Sequence, residues 1–231
     1  GGPRLYQKAV TDLQGKVHHR ALQGRIKEDK KYILAAEYMP LVCDMGMAAC
    51  WDRQLLTRII SLSAAGKPEA WSFPLTTDAL LQGSFVQWLY KMLLHVPRPQ
   101  RKHFLFELAE ADVGQHICRL LPVVRGLTAF GCRIVVRQAG QTLVSSAYLQ
   151  LVKPEVVRLD SGLVRNIDRR PENQLLVSSL AESCLSSSTL VFATGIRTQE
   201  EWLTLVNLGV SGGQGDYIAT PLPVKFVHRD N

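Results

Sequence analysis

The chain lacks any apolar run near the ~20 residues that a membrane-spanning helix needs. Its start, Gly1-Gly2-Pro3, is not a charged segment followed by an apolar core, so no secretory signal is legible. It lacks a C-x-x-C pair, and its five cysteines (Cys43, Cys50, Cys118, Cys132, Cys184) are scattered and odd in number. That argues against a disulfide framework or a thiolate zinc site. It fits free thiols in a reducing compartment, expected as small buried hydrophobes. No serine or cysteine nucleophile stands in a motif with an orienting histidine. His18 and His19 are adjacent, and neighbours on a regular strand face opposite sides, so the two are not expected to chelate one metal. No low-complexity linker divides the chain, so residues 1–231 read as a single domain.

What is present is an excess of positive charge, +7 over 231 residues. It concentrates at Arg25-Lys27-Lys30-Lys31, at Arg98-Arg101-Lys102-His103 and at Arg165-Arg169-Arg170. Such a field attracts acidic protein surfaces or nucleic acid. Arg98, Arg101, Lys102, Arg165, Arg169 and Arg170 are therefore the candidate RNA contacts. Aromatic residues are not interleaved with them, which argues against base stacking.

The patterning alternates short β-rich runs with amphipathic segments. Residues 3–10 and 16–26 read as antiparallel strands turning at Leu13-Gln14-Gly15. A helix from Glu37 to Ser63 is interrupted near Met45-Gly46. The spacing then predicts strands at 69–75, 103–109, 132–138, 155–159, 189–194 and 211–217. Helices at 78–95, 112–130, 143–151, 171–186 and 198–208 separate them. Strand-then-helix repetition implies parallel strands with crossover helices, and a chain of this length suits one α/β barrel of roughly 250 residues. Gly212-Gly213-Gln214-Gly215 lacks the following helix of a phosphate-binding fingerprint and reads as a barrel-closing strand end.

Specific motifs point to a family. Val191-Phe192-Ala193-Thr194-Gly195-Ile196-Arg197-Thr198, then Gly213-Gln214-Gly215-Asp216-Tyr217 and Pro221-Leu222-Pro223, resemble the end of an EAL domain, the fold of cyclic di-GMP phosphodiesterases. The resemblance runs from Leu5 to about Pro223 and implies a TIM-like (β/α)8 barrel of the EAL type, with an antiparallel strand near the N-terminus. Enzymes of that family hold two divalent cations with oxygen ligands at the C-terminal ends of the strands and use them to activate a water.

Carried over position by position, the resemblance implies a degenerate site. The signature Glu-Ala-Leu-x-Arg falls on Ala21-Leu22-Gln23-Gly24-Arg25, so Ala21 replaces a ligand glutamate while Arg25 persists. Pro74 replaces the asparagine, and Glu107 survives within Glu107-Leu108-Ala109-Glu110. The paired aspartates become Arg137 and Gln138, the catalytic lysine becomes Arg158, and a later glutamate becomes Thr194; Gln214 persists. A guanidinium at a bridging-carboxylate position repels cations, so no catalysis, metal or cofactor is expected. Glu107 is expected to pair with Arg137 or Arg158 instead.

Four further stretches narrow the resemblance to a non-catalytic branch of the family: Glu107 to His116, Gly162 to Ile167, Glu172 to Val177, and Gly212 to Asp216. This branch comprises regulators that promote RNase E-dependent decay of the small RNAs CsrB and CsrC. It implies a domain within a longer, membrane-anchored protein, behind a degenerate GGDEF domain, on the cytoplasmic face of the inner membrane. It also implies binding of unphosphorylated EIIA of the glucose phosphotransferase system. Direct RNA binding is the alternative, cyclic di-GMP reception a lesser one. The domain itself is not expected to touch the membrane, and dimerisation stays open.

Overall fold

The computed structural model describes residues 4–28, 31–65 and 69–224; Lys30 of the first basic cluster and residue 3 of the first expected strand lie outside them. Its strands are β1 (Arg4–Asp12), β2 (Val17–Glu28), β3 (Lys31–Leu34), β4 (Trp71–Pro74) and β5 (Phe104–Ala109). They continue with β6 (Arg133–Ala139), β7 (Val156–Leu159), β8 (Leu190–Thr194), β9 (Gly212–Gln214) and β10 (Leu222–Pro223). One ring runs β1-β2-β4-β5-β6-β7-β8-β9 and returns to β1, an eight-stranded barrel. Only β1 runs against its neighbours in that ring, because a short turn joins it to β2, whereas the later strands are joined by helices that permit parallel pairing. β3 and β10 extend the sheet at its edges.

The parallel strands are short apolar runs because both of their faces are buried. Val10, Ala21, Leu105, Val135, Val156 and Phe192 cluster inside the barrel. The alternate residues, such as Phe73, Phe106, Ile134, Val136, Val157 and Val191, pack under the helices. Closure demands small residues where strands crowd. A side chain at Gly212 would run into the Thr11 carbonyl and the Phe192 ring, and one at Gly215 into the Ile196 backbone. β9 ends at Gln214, short of the 211–217 expected from the sequence, because the chain turns there, with Ile218 N and Ala219 N donating to the Gly215 carbonyl.

Other boundaries differ for local reasons. The expected 78–95 helix is two, Thr77–Leu80 and Gly83–Leu94, because Gln82 adopts an extended conformation and restarts the second. In place of the expected 143–151 helix, the helix runs only over Tyr148–Val152. The preceding segment is fastened to Glu110, whose carboxylate accepts from Gly140 N and Tyr148 Oη, each at 2.8 Å. β3 and the short helix Arg98–Arg101 were not legible as elements. The cysteines correct a second expectation: Cys132 and Cys184 are buried, but Cys50 and Cys118 lie on outward helix faces and are exposed.

Asp52 is a buried charge with a structural role. Its Oδ2 accepts from Thr76 N at 2.8 Å and Thr76 Oγ1 at 2.7 Å, tying the helix Ala48–Ala65 to the segment after β4. Burial pushes its pKa to about 6, against the pull of those hydrogen bonds. The folded state therefore keeps a proton that the unfolded chain has lost between the ordinary value and about 6. Stability should fall as pH rises through that window, by on the order of 3 kcal/mol, and level off above it. Asp52→Asn should flatten this limb in urea unfolding measured at a series of pH values.

Candidate functional site at the barrel mouth

The C-terminal ends of the parallel strands open into one mouth, and the charged interior residues of the barrel sit there. Glu107, from β5, is 3% exposed. Its Oε1 accepts from Ser72 Oγ on β4, and its Oε2 forms an ion pair with Nη2 of Arg158 on β7. Arg158 is 6% exposed. Both carboxylate oxygens of Glu107 are thus committed to protein donors, Ser72 on the neighbouring β4 and Arg158 on β7 beyond β6, and the ion pair is the one the sequence implied.

Arg137, from β6, lies close enough to Arg158 to feel its charge: between the Val136–Val157 and Ala139–Leu159 pairings two residues, Arg137 and Gln138, stand against the single Arg158. It makes no ion pair among the described residues; its Nη1 donates to Gln138 Oε1 at 2.6 Å. Gln138 takes a left-handed conformation, φ 58°, at the irregularity that separates the Val136 and Ala139 pairings. Burial holds the Arg137 guanidinium below the usual arginine pKa; Glu107 opposes this, and Arg158 adds to it. The Nε atoms of both arginines are buried without a partner.

The other candidates surround this centre. Ala21 is buried in the apolar interior cluster, so β2 offers no ligand at that level. Arg25, further along β2, lies over the Tyr6 ring at 4.3 Å. Pro74 ends β4 level with Glu107. Thr194 Oγ1 donates to the Leu159 carbonyl, and Gln214, paired with Thr194 in register, keeps a buried Oε1 without a partner. Among the described residues no three His, Cys, Asp or Glu side chains gather as a metal site would require.

The candidate RNA contacts do not come together. Arg98, Arg101 and Lys102 precede β5 at the N-terminal end of the barrel, whereas Arg165, Arg169 and Arg170 follow β7 at the mouth. Arg101 is partly spent inside the fold, donating from Nε to the Val96 carbonyl at 2.9 Å.

His18 and His19 correct the expectation that they face apart. β2 is irregular there: Val10 pairs with His19 and Thr11 with Val17, leaving His18 as the extra residue of a bulge. Their Nδ1 atoms come within 2.8 Å, and His18 Nε2 lies 3.3 Å from Glu155 Oε1, which also holds Arg133. Burial, reinforced by Arg158, keeps the His19 pKa well below the ordinary value. A neutral His19 thus sits in the barrel interior below the ion pair.

Ser72 and Glu201, to which the sequence assigned no role, and Glu110, known from it only as the end of a motif, build the mouth. Ser72 is a small polar residue on the interior face of an otherwise apolar strand. Glu110 anchors the loop after β6. Glu201 joins the loops after β7 and β8, and its spacing from Thr198 is a capping-box signature. A groove of about 460 Å³ lies elsewhere, on the flank between Val113, Ile117, Leu143, Val144 and Leu151.

The chain has known relatives. The chain is 46% identical over 97% of its length to the RNase E specificity factor CsrD of Escherichia coli K12, of which it covers 35%. To the cyclic di-GMP phosphodiesterase PdeF of the same organism it is 20% identical over 95% of its length, covering 30% of that protein. The chain thus spans about a third of the curated relatives it matches. Among solved structures, Vibrio cholerae LapD S helix-GGDEF-EAL (apo) superposes with a TM-score of 0.86 at 17% identity, over 94% of this chain and 54% of that one. The EAL domain family model matches residues 4–221. The chain belongs to the EAL domain family.

Proposed function

We propose that this domain is a non-catalytic regulatory module of the CsrD kind, acting by binding a protein to promote RNase E-dependent turnover of CsrB and CsrC. The observation that carries this reading is the Glu107–Arg158 ion pair with Arg137 beside it. A two-metal hydrolase needs free carboxylates at that level, and here Glu107, the one that remains at a ligand position of the resemblance, is already neutralised. The 46% identity to CsrD supports the regulatory role.

Unphosphorylated glucose-specific EIIA is the partner we propose, in a full-length protein anchored at the cytoplasmic face of the inner membrane; among the described residues no helix is long and apolar enough to cross it. Calorimetric titration should show binding of unphosphorylated EIIA and loss of binding on phosphorylation. Cyclic di-GMP incubated with the domain and Mg²⁺ or Mn²⁺ should remain intact. Chelator-sensitive conversion to the linear dinucleotide would overturn the non-catalytic reading. The candidate RNA contacts lie at opposite ends of the barrel, which disfavours one continuous RNA track, so RNA affinity should be weak and steeply salt-dependent. Tight, salt-insensitive RNA binding with no response to EIIA would reverse the ranking.

A further inference from the structure

Carboxylates are missing from one side of the barrel. No Asp or Glu lies between Asp78 and Glu107, and none between Asp112 and Glu155. The three acids left in that span are engaged near the mouth: Glu107 by Ser72 and Arg158, Glu110 by Gly140 N and Tyr148, Asp112 by Thr77. Glu155, at the start of β7, is held by Arg133 and His18. At the N-terminal end of the barrel, where the helices Gly83–Leu94 and Glu110–Ala129 finish and the helix Arg98–Arg101 follows, no acid offsets the cations.

Those helix ends form one surface. Tyr90 stacks on Phe130 at 5.2 Å, and the Arg101 guanidinium lies over the same ring at 5.4 Å. Arg133 Nε donates to the Lys102 carbonyl at 2.6 Å, which joins the start of β6 to the segment before β5. Lys91, Arg98, Lys102 and Arg125 are exposed here, and none of them forms an ion pair among the described residues. Leu94, one turn beyond Tyr90 and between Lys91 and Arg98 in the chain, is 63% exposed; Pro97 and Pro99 are exposed as well.

An exposed apolar side chain flanked by unpaired cations has the make-up of a protein interface, with an apolar centre and a charged rim that steers the partner. The face offers RNA less, because Tyr90 and Phe130 are stacked on each other and not free for bases. A second copy of this chain would set like charge against like. We propose that the face of Lys91, Leu94, Arg98, Lys102 and Arg125 docks an acidic protein surface with an apolar recess for Leu94. The proposal rests on the domain being a protein-binding module and adds the surface it uses.

Unphosphorylated EIIA is the probe, with its association and dissociation rates on the intact chain measured by surface plasmon resonance over a series of salt concentrations. Arg98→Glu with Lys102→Glu should slow association by roughly 10- to 100-fold and flatten its salt dependence. Arg125→Glu should act in the same direction. The neutral pair Arg98→Gln with Lys102→Gln should give a smaller slowing, and serves if the reversed pair folds poorly. Leu94→Ser should instead speed dissociation, by about tenfold. Arg4→Glu with Lys31→Glu makes the same change of net charge at exposed positions on β1 and β3 and should leave both rates nearly unchanged. Equal slowing by the two reversed pairs would reduce the effect to net charge and overturn the surface. EIIA that binds wild type and every variant alike would overturn the surface and leave the proposed partner standing; EIIA that does not bind at all would overturn both. A homopolymeric RNA held more tightly than EIIA, and released by the same substitutions, would make the face a nucleic-acid interface and overturn the protein docking.

Discussion

Glu107→Gln should lower the unfolding free energy by about 3–5 kcal/mol, the effect of removing one partner of a buried ion pair. In a chain of this size that is a drop in melting temperature of roughly 6–20 °C. The substitution keeps the volume and leaves an amide oxygen to accept from Ser72. It strands Arg158, which is 6% exposed and has Arg137 rather than solvent as its neighbour. The double change Glu107→Met with Arg158→Leu separates charge from packing. It removes both ions and refills the space, so it should recover most of the loss. Urea unfolding of the three proteins checks this. A single variant within about 1 kcal/mol of wild type would mean that the pair is solvated and contributes as little as a surface salt bridge.

The reason this pair was legible in the sequence is chemical. Glu107 sat in a surviving motif among apolar residues, and a carboxylate in such a position needs a partner. Arg137 and Arg158 were the guanidiniums at matching strand ends, and alternation placed all three on the interior face. The barrel was legible for a related reason: strands buried on both faces read as short apolar runs, and helices between them force parallel pairing. What escaped was whatever depends on contacts distant in sequence. The His18 bulge is set by where β1 pairs with β2, and no local pattern marks it. The end of β9 is set by the turn in which the Gly215 carbonyl accepts from Ile218 N and Ala219 N. The sequence showed where the basic clusters lie along the chain but not where they lie in space, and the barrel carries two of them to opposite ends.

The second large effect lies in the loops that frame the mouth. Glu201 is 1% exposed, at the start of the helix Gln199–Asn207. Its Oε1 accepts from Asn166 N and its Oε2 from Arg197 N, each at 2.8 Å, and Thr198 Oγ1 accepts in return from Glu201 N. One carboxylate thus ties the loop after β7 to the loop after β8, and Asn166 is held there in a left-handed conformation, φ 55°. Burial alone would raise the Glu201 pKa, but the bonds from Asn166 and Arg197 outweigh it and hold the pKa below the ordinary value. The sign follows: this contribution is present above the unfolded-state pKa of glutamate and is lost as pH falls through the lower folded-state value. Glu201→Gln should cost about 2–4 kcal/mol at neutral pH, since one backbone N–H then meets an amide NH₂ instead of an acceptor. Amide hydrogen exchange should quicken at Asn166 and Arg197 together. Exchange that quickens at one of them alone would show that the two loops are fastened separately, and would refute the single carboxylate as their common anchor.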